Sequence, residues 1–230
     1  MICPMNRLYT KVLLALLGLF LSVPIAHAQV QRFKPKVMVG AIGGINLSNV
    51  IFVPSIPQTM KRGFDSGLVF RADLDDYFGI WGIWVEVDYS RRGWKDRIDD
   101  KPDVYYEREM NYIQVPVLTH YSTDAGPFRF TVGVGPQFGY FMGDKKITNI
   151  DAGNAEGLII IHHNKEVEQK FAWGLGGGLG AEYEWRKMVF GAKVTYYQGL
   201  GDFFNNARSE TFGKSAEQIF SGKAYVLFVF

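Results

Sequence analysis

The stretch GIWGIWVEVDYSR, residues 79–91, alternates between two kinds of side chain. From Trp81 to Ser90, every second position is large and apolar, and the positions between them are small, polar or charged with one exception, Trp84. The apolar set is Trp81, Ile83, Val85, Val87 and Tyr89, and the other set is Gly82, Trp84, Glu86, Asp88 and Ser90. A period of two residues is typical of a β-strand whose two faces meet different surroundings. The stretch therefore predicts a strand with one apolar and one polar face.

The same alternation recurs along the chain and predicts eight strands. They cover residues 37–48, 64–74, 79–91, 104–122, 128–142, 171–185, 188–199 and 222–230. The chain has 230 residues, of which 47% are hydrophobic, 15% aromatic and 21% charged, and this composition argues against disorder. The length suits one domain. We therefore expect a single all-β domain.

The polar face of these strands distinguishes a membrane barrel from a soluble one. A soluble barrel has its charges outside, whereas here glycine and both signs of charge share one face, as in the narrow lumen of a transmembrane barrel. The connections alternate between long ones at 49–63, 92–103, 143–170 and 200–221 and short ones at 75–78, 123–127 and 186–187. Outer-membrane barrels have this asymmetry because their periplasmic turns are short and their external loops are not. The predicted fold class is an eight-stranded, antiparallel, up-and-down transmembrane β-barrel.

The first 28 residues have the pattern of a secretory signal peptide. Arg7 and Lys11 precede an apolar stretch at 12–23, and Ala26 and Ala28 form a small-x-small cleavage site. We expect export with cleavage after Ala28, which leaves 29–230 as the barrel domain. Cleavage removes Cys3, the one cysteine, and so excludes disulfides and thiolate metal sites. It also lowers the basic count from 25 to 23, equal to the acidic count of 23, so charge does not favour nucleic acid.

The chain closes with KAYVLFVF, residues 223–230, an alternating strand that ends on an aromatic residue. It resembles the terminal strand by which the outer-membrane assembly machinery recognises its substrates. Tyr225, Phe228 and Phe230 are the residues that we assign to this recognition, with Tyr225 and Phe228 both placed on the lipid face. Together with the signal peptide, this strand predicts a location in the outer membrane of a bacterium, with membrane lipid and the assembly machinery as partners.

Four segments together resemble the PorT-like family of outer-membrane β-barrel proteins. They are VGAIGGINLS at 39–48, YIQVPVL at 112–118, GVGPQFG at 133–139 and the terminal aromatic strand. The resemblance runs over most of residues 36–230 and implies an outer-membrane barrel. The family includes many proteins described only as "porin family", and the member that gives it its name assists protein secretion across the outer membrane. No motif in this sequence is tied to that role.

The polar face supplies one set of candidate functional residues. They are Arg71, Asp73, Glu86, Asp88, Gln114, Arg129, Gln137, Glu182 and Lys193. Eight strands enclose an interior that side chains can fill, so we expect these groups to pair in an internal network. A short turn at 75–78 makes the second and third strands antiparallel neighbours, and we expect Arg71 to pair with Glu86, an arrangement that is symmetric about a turn centred between 78 and 79. The alternative is a narrow path for ions or a small ligand.

Two functional classes compete with a structural, binding or secretion-accessory role, in which the long external loops would contact a protein partner. One is a narrow porin. The other is an enzyme that modifies lipid, suggested by His120, Ser122 and Asp124, which lie close together in sequence as serine hydrolase residues do in space. The alternation of long and short connections places these three residues at the periplasmic end, away from the outer leaflet. We therefore expect no enzymatic activity.

Two further motifs resemble cofactor sites and are interpreted differently. The run GLGGGLG at 174–180 keeps its glycines in strand register and has no helix after it, which favours small residues in a barrel wall over a nucleotide loop. His162 and His163 are adjacent, so their side chains diverge, and we expect them in a solvated loop with no metal. The sequence therefore predicts no cofactor.

Overall fold

The computed structural model describes residues 35–76, 79–98, 101, 103–150, 158, 160, 162–163, 165–205 and 212–230. Eight strands account for most of them. They are β1 Lys36–Val53, β2 Gln58–Asp76, β3 Gly79–Asp96, β4 Tyr106–Ala125, β5 Phe128–Thr148, β6 Phe171–Trp185, β7 Met188–Gly199 and β8 Lys214–Val229. The predicted signal segment, with Ala26 and Ala28, lies outside the described residues.

The strands form one closed ring in chain order. Each strand pairs antiparallel with the next, and β1 pairs with β8, where Asn46 lies opposite Ser221. Closure leaves no strand edge unpaired, which is what a sheet requires in a solvent that offers no hydrogen bonds. The predicted eight-stranded, up-and-down barrel is confirmed.

The two ends of the barrel differ in their connections. At one end, the turn end, the strands are joined by the residue pairs 77–78, 126–127 and 186–187. At the other, the loop end, the connections are 54–57, 97–105, 149–170 and 200–213. The prediction of a long first connection at 49–63 was wrong, because β1 continues to Val53 by pairing with β8 and β2 begins at Gln58 by pairing with β3. Inward side chains there still have partners, such as Ser48, which donates a hydrogen bond to the carbonyl of Gly93.

The outer surface carries a belt of apolar side chains on alternate positions of the strands, exposed on every strand except β4, where the outward apolar residues are half-buried. Its members include Ile45, Leu68, Ile83, Val134, Leu175, Leu179, Val194 and Phe220. The intervening positions point inward and are mostly buried. Across the described residues, no helix is long and apolar enough to span a membrane.

The last strand corrects one assignment. Phe228 is exposed, as predicted, but Tyr225 is buried inside the barrel. Residues 225 and 228 differ by an odd number, so they cannot share a face of one regular strand. Lys223, Tyr225 and Leu227 all face inward, and the apolar residues between them face out.

Candidate functional site: the barrel interior and its mouth

The interior nearest the turn end is built around Arg71. Its Nε lies 2.6 Å from Asp73 Oδ1, its Nη2 lies 2.8 Å from Asp73 Oδ2, and its Nη1 donates to Glu182. The Tyr225 hydroxyl donates to the same Glu182 carboxylate at 2.6 Å. All four side chains are buried. A bidentate guanidinium between two carboxylates satisfies charges that would be costly to bury alone.

The predicted pair of Arg71 and Glu86 is wrong. In the ladder between β2 and β3, Arg71 lies opposite Trp84, and Glu86 lies opposite Val69. Residues 77–78 join β2 to β3, so the pairing of these strands is symmetric about a point between 77 and 78. A pairing of 71 with 86 is symmetric about a point one residue further along the chain, and this difference moves the partner of Arg71 by two positions. Glu86 consequently belongs to a different group of charges.

The middle of the interior is centred on Glu86. Lys193 and Lys223 both donate to its carboxylate, the latter at 2.9 Å, and the Trp84 indole donates at 2.5 Å. Lys223 also donates to Asp88 at 2.5 Å. Lys223 was missed in the sequence, although its charge and its parity opposite to Phe228 indicate an inward position. The two lysines join β7 and β8 to β3 across the lumen.

Nearer the loop end, the centre of the interior is Arg92. Its guanidinium donates to Gln114 at 2.8 Å, pairs with Glu217 at 2.7 Å, and lies 3.8 Å from the centre of the Tyr112 ring. Gln114 in turn donates to Gln137 at 2.5 Å. Arg92 and Glu217 were also missed, because the sequence assigned both to connections that are strand in the structure.

Arg129 is the one predicted network member that lies elsewhere. It pairs with Asp124 at 2.8 Å and lies 3.7 Å from Glu184, both at the rim of the turn end. The other eight predicted residues face the interior, in the three groups just described. Side chains thus fill the barrel, and two cavities inside it measure only about 30 and 20 Å³. A void of that size has room for a water molecule or two and not for a solute.

Glycines on the inner wall make room for this network. A Cβ on Gly191 would lie 2.3 Å from the Tyr225 ring, and a Cβ on Gly176 would overlap the Gln137 amide. Gly176 belongs to the run at 174–180, which lies wholly within β6. The glycines face large polar side chains, as expected for a crowded barrel wall.

The hydrolase-like residues do not assemble as the sequence suggested. Asp124 is exposed and pairs with Arg129, while His120 Nε2 lies 2.9 Å from Asp73. The Ser122 hydroxyl is fully buried, 3.5 Å from Arg71. Asp124 is therefore not the carboxylate partner of His120.

An aromatic cluster closes the loop end of the lumen. It combines residues from β1, β3, β4 and the connection between β7 and β8, all buried: Phe52, Trp94, Tyr106, Phe203, Phe204 and Phe212. Arg108 lies 5.5 Å from the rings of Trp94 and Phe204 and is held by Asp144 at 2.6 Å. We call this set the mouth cluster.

His162 and His163 pack against the mouth cluster, so the prediction that they lie in a solvated loop was wrong. His162 is fully buried, and both Nε2 atoms converge on Asp96 Oδ2, at 2.7 and 2.8 Å. Asp96 is the last residue of β3, beyond the apolar belt. Burial by itself raises the pKa of Asp96, and the hydrogen bonds with the two histidines bring that pKa below its usual value.

The fold and its interior define the class of protein: a closed membrane barrel with an apolar exterior and a filled polar lumen. The family model described as "Outer membrane protein beta-barrel domain" matches residues 27–205, and the chain belongs to that family. Membership places the protein in the bacterial outer membrane. In such barrels the short turns are periplasmic, so the mouth cluster lies on the external side.

Comparison with other proteins adds structural neighbours at low identity. OprG from Pseudomonas aeruginosa is 13% identical, with 86% of this chain and 97% of that one covered and a TM-score of 0.49. Neisserial surface protein A is 14% identical (83% and 96% covered, TM-score 0.39), and the outer membrane enzyme PagL is 11% identical (82% and 97% covered, TM-score 0.39). No curated protein matches the chain.

Proposed function

We propose that this protein is a closed outer-membrane barrel that acts through its external end, in a structural, binding or secretion-accessory role, and not as a channel or an enzyme. The observation that carries the proposal is the filled interior. From the turn end to the mouth, the lumen holds the Arg71 group, the Glu86 group, the Arg92 group and then the mouth cluster.

The energetics of these groups favour a permanently closed lumen. Opening a path would separate buried ion pairs such as Lys223 with Glu86 and Arg92 with Glu217. Removing one partner of a buried pair typically costs about 3–5 kcal/mol because an unpaired charge remains. A solute that passed along the lumen would have to disrupt several of these pairs in succession.

The proposal includes how the protein reaches its site. Export would depend on cleavage after Ala28, and assembly on the terminal aromatic strand. In a binding or secretion-accessory role, the external connections 97–105, 149–170 and 200–213 would meet the protein partner.

Narrow conduction is the second candidate, and one observation favours it. The cavity of about 20 Å³ beside Glu86, Lys193 and Lys223 is polar and could join a water path if neighbouring side chains moved. For catalysis, the exposed position of Asp124 argues against a triad with His120 and Ser122.

Planar-bilayer recording on the refolded barrel separates these functions. We expect no steady conductance from the wild-type protein. A water-filled porin reconstituted in the same bilayer is the positive control, because it shows that the assay detects an open barrel. Steady, ion-selective conductance from the wild type would overturn the proposal. If the wild type does not conduct, proteins that co-purify with the detergent-solubilised barrel identify the partner.

A further inference from the structure

Three side chains packed against the mouth cluster have the chemistry of a metal site. Asp96, His162 and His163 offer one carboxylate oxygen and two imidazole nitrogens that all lie within 4.8 Å of one another. The imidazole rings are inclined at 78°, so their nitrogen-bearing edges converge on the carboxylate without stacking. From these residues, we propose that the external mouth binds a divalent cation of the Zn²⁺ type.

The hydrogen bonding of Asp96 supports a cation. Its Oδ2 contacts both imidazoles, while its Oδ1 is buried without a hydrogen-bond partner among the described residues, and only 7% of the residue is exposed. A buried carboxylate oxygen with no partner is costly. A cation held between the carboxylate and the two nitrogens would satisfy it.

The surroundings hold the ligands in place. Tyr106 stacks on His163 with ring centres 3.6 Å apart and planes 7° from parallel, and its hydroxyl donates to the His163 carbonyl at 3.3 Å. His162 lies against Phe52, Trp94 and Phe212, with ring centres 5.9 to 6.4 Å away. Rigid aromatic walls reduce the entropy lost when a metal orders its ligands.

The donor set selects the class of metal. Two imidazoles and one carboxylate suit Zn²⁺ and its neighbours Co²⁺, Ni²⁺ and Cu²⁺, whereas Ca²⁺ and Mg²⁺ prefer oxygen ligands. Each imidazole would bind through the Nε2 lone pair in its neutral form, and three protein ligands leave a fourth position for water. The bound ion would join Asp96 at the end of β3 to His162 and His163, which lie between β5 and β6 in the chain.

The test uses the untagged full barrel, refolded in detergent and freed of metal with a chelator. Titration with ZnCl₂ in a calorimeter should give one site per barrel, and Co²⁺ should give the visible absorption of a low-symmetry nitrogen-ligated site. Asp96→Asn, His162→Gln and His163→Gln should each weaken Zn²⁺ binding at least tenfold. His120→Gln is the matched control, because His120 also faces a buried carboxylate but lies in the turn-end half of the barrel.

Each outcome decides the proposal. Folding of every variant is checked by its faster migration on an unheated gel, and protease digestion of the wild type should be slower within 149–170 when Zn²⁺ is present. A folded wild-type barrel that binds no stoichiometric Zn²⁺ would overturn the site, and the histidines would then be a hydrogen-bonded cluster only. Equal losses in His120→Gln and His163→Gln would also overturn it.

Discussion

Arg71 and Glu182 form a buried ion pair across the barrel, although 111 positions separate them in the chain. Arg71 is on β2 and Glu182 is on β6, which lie opposite each other in a ring of eight strands. The pair therefore braces two walls that share no backbone hydrogen bonds.

Replacing Arg71 should destabilise the barrel strongly. Arg71→Met leaves Asp73 and Glu182 buried without their cation, so we expect the free energy of unfolding to fall by about 3–5 kcal/mol. The matched control is Arg129→Met at the rim, whose partner Asp124 is exposed, and its loss should stay below about 1 kcal/mol. Urea titration of both refolded variants measures the difference. Equal midpoints would contradict the assignment of Arg71 to a dry interior.

Gly191 tests the packing against Tyr225. A methyl group there overlaps the Tyr225 ring, which is held by its hydrogen bond to Glu182, so Gly191→Ala should cost about 1–3 kcal/mol. Gly222→Ala is the control, because a Cβ at that position meets no atom within 4 Å. The urea midpoints of the two variants compare them directly. Equal stability of Gly191→Ala and Gly222→Ala would show that the Tyr225 ring can move away from the added methyl group.

Phe230 separates recognition during assembly from stability. It is 83% exposed and contributes a backbone hydrogen bond from its N–H to the Val37 carbonyl, so Phe230→Ala should hardly change the urea midpoint. In cells the same change should lower the amount of folded barrel several-fold, because the terminal aromatic is the expected recognition element. Phe128→Ala, another exposed phenylalanine at the turn end, should leave that amount unchanged. Similar losses from both variants would indicate a general effect of apolar surface.

The rim at the loop end should contribute a small, pH-dependent stabilisation. Lys61 and Lys95 lie 2.9 and 3.0 Å from Glu107, and the hydrogen bond from Lys61, the largest cause, lowers the pKa of that carboxyl. A lowered folded-state pKa stabilises the protein above the unfolded-state pKa, near 4.5, and the stabilisation is lost as the pH falls through the folded value.

Glu107→Gln should therefore lower the free energy of unfolding by less than about 1 kcal/mol at pH 7, since the group is partly solvated. The difference from wild type should shrink as the pH drops below 4.5. Urea titrations across this range measure it. A stability difference between the two proteins that grew at low pH would contradict a lowered pKa for Glu107.

Much of the barrel could be predicted because the information is local. Alternation along 79–91 distinguishes an outward Ile83 from an inward Glu86 whatever the rest of the chain does, since successive side chains of a strand point to opposite faces. The same rule, applied strictly, would have placed Tyr225 inside with Lys223. The number of strands and the alternation of short turns with long loops could also be predicted from the sequence.

The sequence by itself thus determined the strands, the faces and the class of protein, because these follow from a period of two and from the positions of the turns. Only the tertiary structure decided which inward residues meet. Partners such as Arg71 and Glu182 depend on ring closure and on a register that shifts by two residues when the centre of a turn moves by one. The placement of His162 and His163 against Asp96 was equally hidden, because a connection has no periodicity from which burial or contacts can be predicted.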